Sequence, residues 1–326
     1  MKIRRGQLLA LWVALLVIGV LLLIWSLQSV RFADLGRVLS ALEPWQILVL
    51  ILVNIAILML FPWRWKRILD AQGYRIPCLT LARYRLIGFA VSYFTPGQHF
   101  GGEPLQVFYL KNRQRVPGSA ALASVTLDKV IELFVNFAVL ALGLAALLTT
   151  GVVTAWPLAQ TLPLSIALFL LPALYLWAVV AGRRPFGALS KRFSGSLMDG
   201  IRGAERRLRT LARKQPRLLW QGLLIAALVW AAQIFEIWLS LRFLGLNVSA
   251  LELTLVVVAA RLALFAPTPG ALGALEASLI FAMQSLGYAA AYGLSLGLLI
   301  RTRDISFGLV GLLLAGLVDK PALNRS

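Results

Sequence analysis

Residues 94–104 read FTPGQHFGGEP, and they interrupt an otherwise apolar stretch of chain. Pro96-Gly97 is built to end a helix, because proline lacks the backbone N–H and glycine is conformationally loose. Glu103-Pro104 is built to start one, since proline is well placed in a first helical turn. Residues 266–276, APTPGALGALE, repeat the device. Pro269-Gly270 precedes Glu276 as Pro96-Gly97 precedes Glu103, with seven residues from proline to glutamate in both. An aromatic residue comes before each break, Phe94 in one and Phe265 in the other. Lys129 and Glu132 follow the first break, Arg301 and Asp304 the second, each pair three residues apart. From Pro96 to Lys129 is 33 residues, and from Pro269 to Arg301 is 32. Four features in one order at nearly one spacing indicate an internal duplication, with half one about 79–149 and half two about 250–318. The match is incomplete, since Arg83 and Arg85 have no counterpart and Arg261 aligns with Gly88.

The chain around these breaks is that of a membrane protein. Of its 326 residues 60% are hydrophobic and 14% charged, and mean hydropathy is +0.83, values outside the range of soluble cores. The formal charge of +19 would suggest nucleic acid in a soluble protein. Here the basic residues sit in short stretches between apolar runs, so they read as topology signals and contacts to anionic lipid, with no nucleic-acid role. The single Cys78 excludes an internal disulfide, and the single His99 excludes a multi-histidine metal site. His99 has the chemistry of a proton sensor, but beside a turn it reads more simply as a hydrogen-bonding residue. No cofactor fingerprint, phosphate loop, nucleophile elbow or metal-ligand spacing occurs, so no catalytic residue is assigned.

Charge placement then sets the topology. Lys2, Arg4 and Arg5 precede the apolar run Leu8–Leu27, which is long enough to span and lacks a good cleavage site. The balanced loop from Val30 to Pro44 suits the outer side. A span from Trp45 to Trp63 leads to Arg64, Lys66, Arg67 and Arg75, read as an inner loop. Leu79–Phe94 and Pro104–Leu110 flank the first break with basic residues at both ends, which predicts a re-entrant hairpin; the second arm covers only about 10 Å. Gly118–Thr149 has no proline and would run about 48 Å as a helix, so it is tilted, broken, or packed beneath the hairpin. A span from Pro163 to Val180 returns inside. Residues 182–217 carry eleven Lys or Arg against Asp199 and Glu205, a basic cytoplasmic loop that is partly an amphipathic helix. Leu218–Leu244 spans, Leu253–Ala266 and the arm to Leu286 form the second hairpin, and Ala289–Val318 ends the chain before Lys320 and Arg325. The expected fold is a single all-α polytopic membrane domain, residues 1–326. It has about six spanning helices plus two re-entrant helical hairpins in an inverted repeat, in the bacterial inner membrane with both termini cytoplasmic.

Inverted repeats with interrupted helices place a transporter's substrate near the midplane. Lipid cannot satisfy the backbone that a Pro-Gly break exposes, so such backbone is buried in protein or lines a wet cavity. The half-helix after each break points a positive dipole end inward, a seat for an anion. Gly97, Gly102 and Gly270 would let the backbone approach a headgroup, while Lys129 and Arg301 hold a phosphate and Glu103 and Glu276 balance charge. Glu132 and Asp304 would pair with Lys129 and Arg301 along one helix face. The structural alternative is plainer: Glu103 caps its own helix, and the two i,i+3 pairs fasten the hairpins to the long helices.

The stretch SYFTPGQHFGGEPLQVFYL, with TLDKVIELF, PTPGALGALEASL and the closing RTRD helix, resembles the lysylphosphatidylglycerol synthase transmembrane-region family. Its members are also described as flippase-like integral membrane proteins. The resemblance covers nearly the whole chain and implies movement of lipids with anionic or modified headgroups between leaflets. Relatives without a soluble half are linked to polyprenyl-phosphate or glycolipid handling. The full synthases carry a large soluble aminoacyl-transferase domain, and this chain stops at Ser326, so a stand-alone form is expected. Asp128-Lys129 stands where the family commonly shows Glu-Arg.

These readings converge on a non-enzymatic flippase for a phospholipid or a polyprenyl-phosphate-linked glycolipid. Its partners would be membrane lipids and, through the basic loop, a lipid-modifying enzyme. The rival classes are a scaffold that docks such an enzyme through residues 182–217 and a membrane-embedded transferase. The inverted repeat has a direct test. After replacement of Cys78, cysteines placed in 96–103 and in 269–276 should react with impermeant reagents from opposite sides of the membrane. Reaction of both from one side only overturns the inversion.

Overall fold

The structure, a computed structural model, describes residues 5–28, 30–95, 101–150, 158–183 and 196–318. Among them are twelve α-helices, one short 3-10 turn and no strand. The helices are α1 Arg5–Leu27, α2 Phe32–Ser40, α3 Pro44–Asp70, α4 Cys78–Phe94, α5 Glu103–Arg113 and α6 Gly118–Thr150. They continue as α7 Leu158–Val180, α8 Ser196–Lys214, α9 Pro216–Phe243, α10 Ala250–Ala263, α11 Ala274–Ser285 and α12 Ala290–Val318. The turn, Pro269–Ala271, lies between α10 and α11.

Among the described residues four helices are long and apolar enough to cross a membrane: Pro44–Asp70, Gly118–Thr149, Leu162–Val180 and Pro216–Phe243. They leave large apolar side chains outward, among them Leu52, Leu142, Leu171 and Leu224, the last three each about two-thirds exposed or more. Water would not tolerate so much exposed hydrocarbon, whereas lipid is its natural solvent. Of the other two expected spans, α1 has its described apolar part at Val13–Leu27, and α12 carries Arg301, Arg303 and Asp304. The expectation of a single domain stands beside a division of the chain into two compact units. One is Met1–Asn54, Leu86–Gly102 and Ile234–Ser326; the other is Ile55–Arg85 and Glu103–Gln233.

In the second of these units α6 packs on α5, α7 and α8, and α7 packs on α8. Buried Leu81, Leu110, Ile131, Leu144 and Leu147 supply apolar mass, while Ala120, Ala121 and Ala123, fully buried, give α6 a small-residue face for close approach. The Trp65 indole N–H donates to Ser124 Oγ at 3.2 Å, fixing α3 against α6. Tyr84 and Tyr109 stack at 5.0 Å between ring centroids. Helix α6 is a single unbroken element of 33 residues, about 50 Å long, so of the expectations for this stretch a break is ruled out. Helix α5, 11 residues, is about 16 Å long and too short to span.

In the first unit α12 packs on α11 and α2, and α11 packs on α10 and α1. A buried cluster of Val30, Ile280, Ala290, Ala291 and Leu294 is covered by Leu27, Leu35 and Val38. Residues 30–44, expected as a loop, therefore contain helix α2, whose Leu35 and Val38 fall on one face because three residues make nearly a full turn. Ser249 and Glu252 form a reciprocal capping box at the start of α10. With 14 and 12 residues, α10 and α11 are each about 20 Å long and do not span.

A second correction concerns α3. The helix continues past Trp63 to Asp70 despite Pro62. Arg64, expected on an inner loop, is buried on this helix with 1% of its surface exposed. Residues 182–217 do contain the expected amphipathic helix, α8.

Candidate functional site

The expected site residues fall into two charge groups, one in each unit. In the unit built around α6, Asp128, Lys129 and Glu132 lie within little more than one helical turn. Arg64 comes to them from α3, Arg85 from α4 and Glu103 from the first residue of α5. Arg64 Nε donates to Asp128 Oδ1 at 2.7 Å and its Nη2 to Glu132 Oε2 at 3.2 Å. Arg85 Nη1 donates to Asp128 Oδ2 at 2.7 Å and its Nη2 to Glu132 Oε2. Lys129 Nζ lies 3.1 Å from Glu103 Oε1 and 3.2 Å from Glu132 Oε1. Among the described residues, three cations thus meet three carboxylates in one network. The Arg85 guanidinium also sits over the Phe61 ring, 4.3 Å from its centroid, a favourable position for a desolvated cation.

This network is graded. At one end Arg64 and Asp128 have side chains only 1% and 5% exposed. At the other Lys129 and Glu103 are 19% and 25% exposed. The closed end is a structural joint between α3, α4 and α6. The open end joins the short helix α5 to α6 through a lysine, whose ammonium has three donors on a rotatable stem. Glu103 also stands in the first turn of α5, where the helix dipole favours a negative charge, and Lys111 and Arg113 complement the last turn.

In the other unit Arg301 of α12 reaches back to the second break. Its Nε donates to Glu276 Oε1 at 2.8 Å and its Nη2 to Glu276 Oε2 at 3.1 Å. Its Nη1 donates to Tyr93 Oη at 3.1 Å and to the Gly270 carbonyl, and its Nη2 to the Ala271 carbonyl at 3.1 Å. A guanidinium has five N–H donors, and all five are engaged here. Glu276 Oε2 also accepts the Gly273 N–H at 2.9 Å, which caps α11. Gly270 and Ala271 both adopt positive φ, 56° and 54°. That conformation is unfavourable for an alanine, and the carbonyl contacts from Arg301 hold it in place. Arg303, two residues further along α12, joins two buried acids: Nε donates to Asp304 Oδ1 at 2.8 Å, and Nη1 to both oxygens of Glu236 at 2.8 and 2.7 Å.

Lys129 therefore pairs with Glu132 along α6 as expected, but Arg301 does not rely on Asp304. Its partner is Glu276, while Asp304 pairs with Arg303, which also holds Glu236. Bidentate geometry plus two carbonyls outweighs a single i,i+3 contact. The ion pairs that follow the two breaks at matching spacing are Glu103 with Lys129 and Glu276 with Arg301, each glutamate 25 or 26 residues before its cation. Gly102 sits where a Cβ would overlap the backbone of Gly88, and its N–H donates to Ser92 Oγ at 2.9 Å, so close helix approach accounts for it. Gly270 is buried in the turn that Arg301 holds. Gly97 and His99 lie outside the described residues. Sequence reasoning passed over Arg64, Arg85 and Asp128 as members of the first group, and Tyr93, Glu236 and Arg303 in the second. A signal existed for Glu236: an acid in the middle of an apolar span needs a partner.

Unbroken spans, short half-helices around a Pro-Gly turn and charge groups neutralised within the apolar helices define a polytopic helical membrane protein with interrupted helices. The chain belongs to the family described as lysylphosphatidylglycerol synthase TM region, whose model matches residues 11–311. Among its relatives are two UPF0104 membrane proteins of Methanothermobacter thermautotrophicus. One is 25% identical over 283 residues, covering 82% of this chain and 83% of its own length. The other is 25% identical over 311 residues, covering 87% of each. A UPF0104 membrane protein of Methanocaldococcus jannaschii is 23% identical over 131 residues, 40% of this chain and 39% of its own.

Proposed function

We propose that the protein moves a phospholipid or a polyprenyl-phosphate-linked glycolipid across the membrane, handling the anionic headgroup at the Lys129–Glu103 pair and performing no covalent chemistry on it. In this reading α1 and α12 are further spans, each Pro-Gly break enters the membrane and returns, and the basic flanks keep both termini in the cytoplasm. The observation that carries it is the graded network on α6. A buried, fully paired joint would explain Arg64 and Asp128, but a structural joint has no need of a partly exposed lysine facing a glutamate at a helix N-terminus. A headgroup phosphate offers Lys129 a further anionic partner in competition with Glu103. The family supports a lipid as cargo. Arg301, whose donors are all engaged, holds the second break in shape.

Leaflet exchange of a fluorescent phosphatidylglycerol in proteoliposomes, read as the fraction bleached by an impermeant reductant over time, tests this. Wild-type protein should speed exchange over protein-free vesicles. Glu103→Gln, which weakens the grip on Lys129 without removing side-chain volume, should change the exchange rate by about tenfold while leaving thermal stability within about 1 kcal/mol, as for a pair with access to solvent. Equal exchange by wild type and variant sinks the site assignment.

A further inference from the structure

We infer that the corner formed by the end of α7, the end of α8 and the start of α9 is a binding site for the phosphate headgroup of an anionic phospholipid in the adjoining leaflet. This site is separate from the α6 network, and binding there does not require translocation. It begins with how α8 is held. Its apolar face is buried at Ala204, Leu208, Leu211 and Ala212, packed on α6 and α7. Arg207 Nε donates to Ser119 Oγ at 3.1 Å, near the start of α6, and Arg209 Nη1 to the Gly182 carbonyl at 3.3 Å, just past the end of α7. Gly203 passes so close to Ser119 that a Cβ there would crowd it. The described helix of the basic segment, α8, is therefore docked at the level where α6 starts, α7 ends and α9 begins. For spanning helices, that level is the membrane surface.

Two of the helix's arginines are thus committed to holding it, and the outward cations remain. Arg183, Arg213, Lys214 and Arg217 are exposed and cluster in the chain where α8 hands over to α9 and α7 ends. The acid Asp199 lies at the far end of α8, beside Arg202, and Glu205 is buried. No acidic residue stands in the first turn of α9, whose N-terminal dipole adds to the positive field. Exposed Trp177 and Trp220 lie within about one turn of the end of α7 and the start of α9, and the Arg183 guanidinium stacks over the Trp177 ring at 4.6 Å. Tryptophan at the end of a span with cations beyond it marks the headgroup level. A soluble acidic partner would satisfy the cations but leave both indoles unexplained. A phospholipid satisfies both, with its phosphate on the guanidinium groups and ammonium and its glycerol and acyl region against the indoles.

The test is equilibrium photolabelling of the whole protein in nanodiscs of equal phosphatidylglycerol and phosphatidylcholine, each carrying a photoreactive acyl chain, with labels mapped to the peptides of Trp177 and Trp220. Wild type should label with phosphatidylglycerol in about fivefold or greater excess, falling towards unity near 0.5 M salt as exposed charges are screened. Arg183→Gln/Lys214→Gln/Arg217→Gln should bring the ratio near unity at low salt. Arg31→Gln/Arg242→Gln, which removes exposed charge elsewhere, should leave it unchanged. A wild-type ratio of unity overturns the inference, as does a triple variant that keeps its excess. Loss of a co-purified soluble protein with an unchanged lipid ratio would overturn it in favour of protein docking. Because no transport is measured, the outcome is independent of the leaflet-exchange result.

Discussion

Lys129→Met should slow leaflet exchange by tenfold or more while the protein stays folded, and Lys129→Arg should retain much of the rate. The expectation follows from the gradient in the α6 network. Removing the ammonium leaves Glu103, which is one-quarter exposed and can turn to water, and Glu132, which keeps Arg64 and Arg85. The stability loss should therefore stay near about 1–2 kcal/mol, the scale of one hydrogen-bonded charge with some access to solvent. Arg64→Met is the contrasting variant. Asp128 would remain 5% exposed with only Arg85 beside it, and breaking a buried pair costs about 3–5 kcal/mol. That loss appears as a lower melting temperature and less folded protein, and the folded fraction should still exchange lipid. Circular dichroism melts in detergent, paired with exchange rates per folded molecule, separate the two effects. Should Lys129→Met melt like Arg64→Met and exchange like wild type, the lysine is a structural member of the joint and not a headgroup ligand.

The contrast between these residues also shows what the sequence could reveal. The breaks were legible because proline and glycine act through the backbone, and their consequence for a helix is local. The long helix α6 was legible for the same reason, since 32 residues from Gly118 hold no proline. Arg64 was misread because charge counting assigns basic residues after an apolar run to water. It has no means of seeing Asp128 and Glu132, 64 and 68 residues away in sequence. Helix α2 was hidden by its short length and balanced charge, and what holds it is long-range packing on Ala290, Ala291 and Leu294. Spacing stated that Asp304 could meet Arg301; it could not state that Glu276 and two carbonyls would be better partners. Local rules identify which groups are able to interact, and tertiary competition decides which do.

That competition makes the second break the most sensitive point in its unit. Arg301→Gln should destabilise the protein by about 3–5 kcal/mol, the range for stranding one partner of a buried pair. The variant leaves Glu276 only 2% exposed with the Gly273 N–H as its remaining contact described here. It also strips two donors from the carbonyls of Gly270 and Ala271, which sit in positive-φ backbone. Arg301→Lys should recover little, because an ammonium is a point charge and cannot serve a bidentate carboxylate, two carbonyls and the Tyr93 hydroxyl at once. The double variant Glu276→Gln/Arg301→Gln should recover part of the loss by removing the stranded charge, so the two substitutions should be non-additive by more than about 1 kcal/mol. Tyr93→Phe, which deletes one neutral acceptor from a charged donor, should cost only about 1–2 kcal/mol. Melting temperatures of these four variants and of Glu276→Gln alone, against wild type, give the cycle directly. Additive losses, or a mild effect of Arg301→Gln, would mean that the turn keeps its shape without the guanidinium, and the residue would then be available to a headgroup after all.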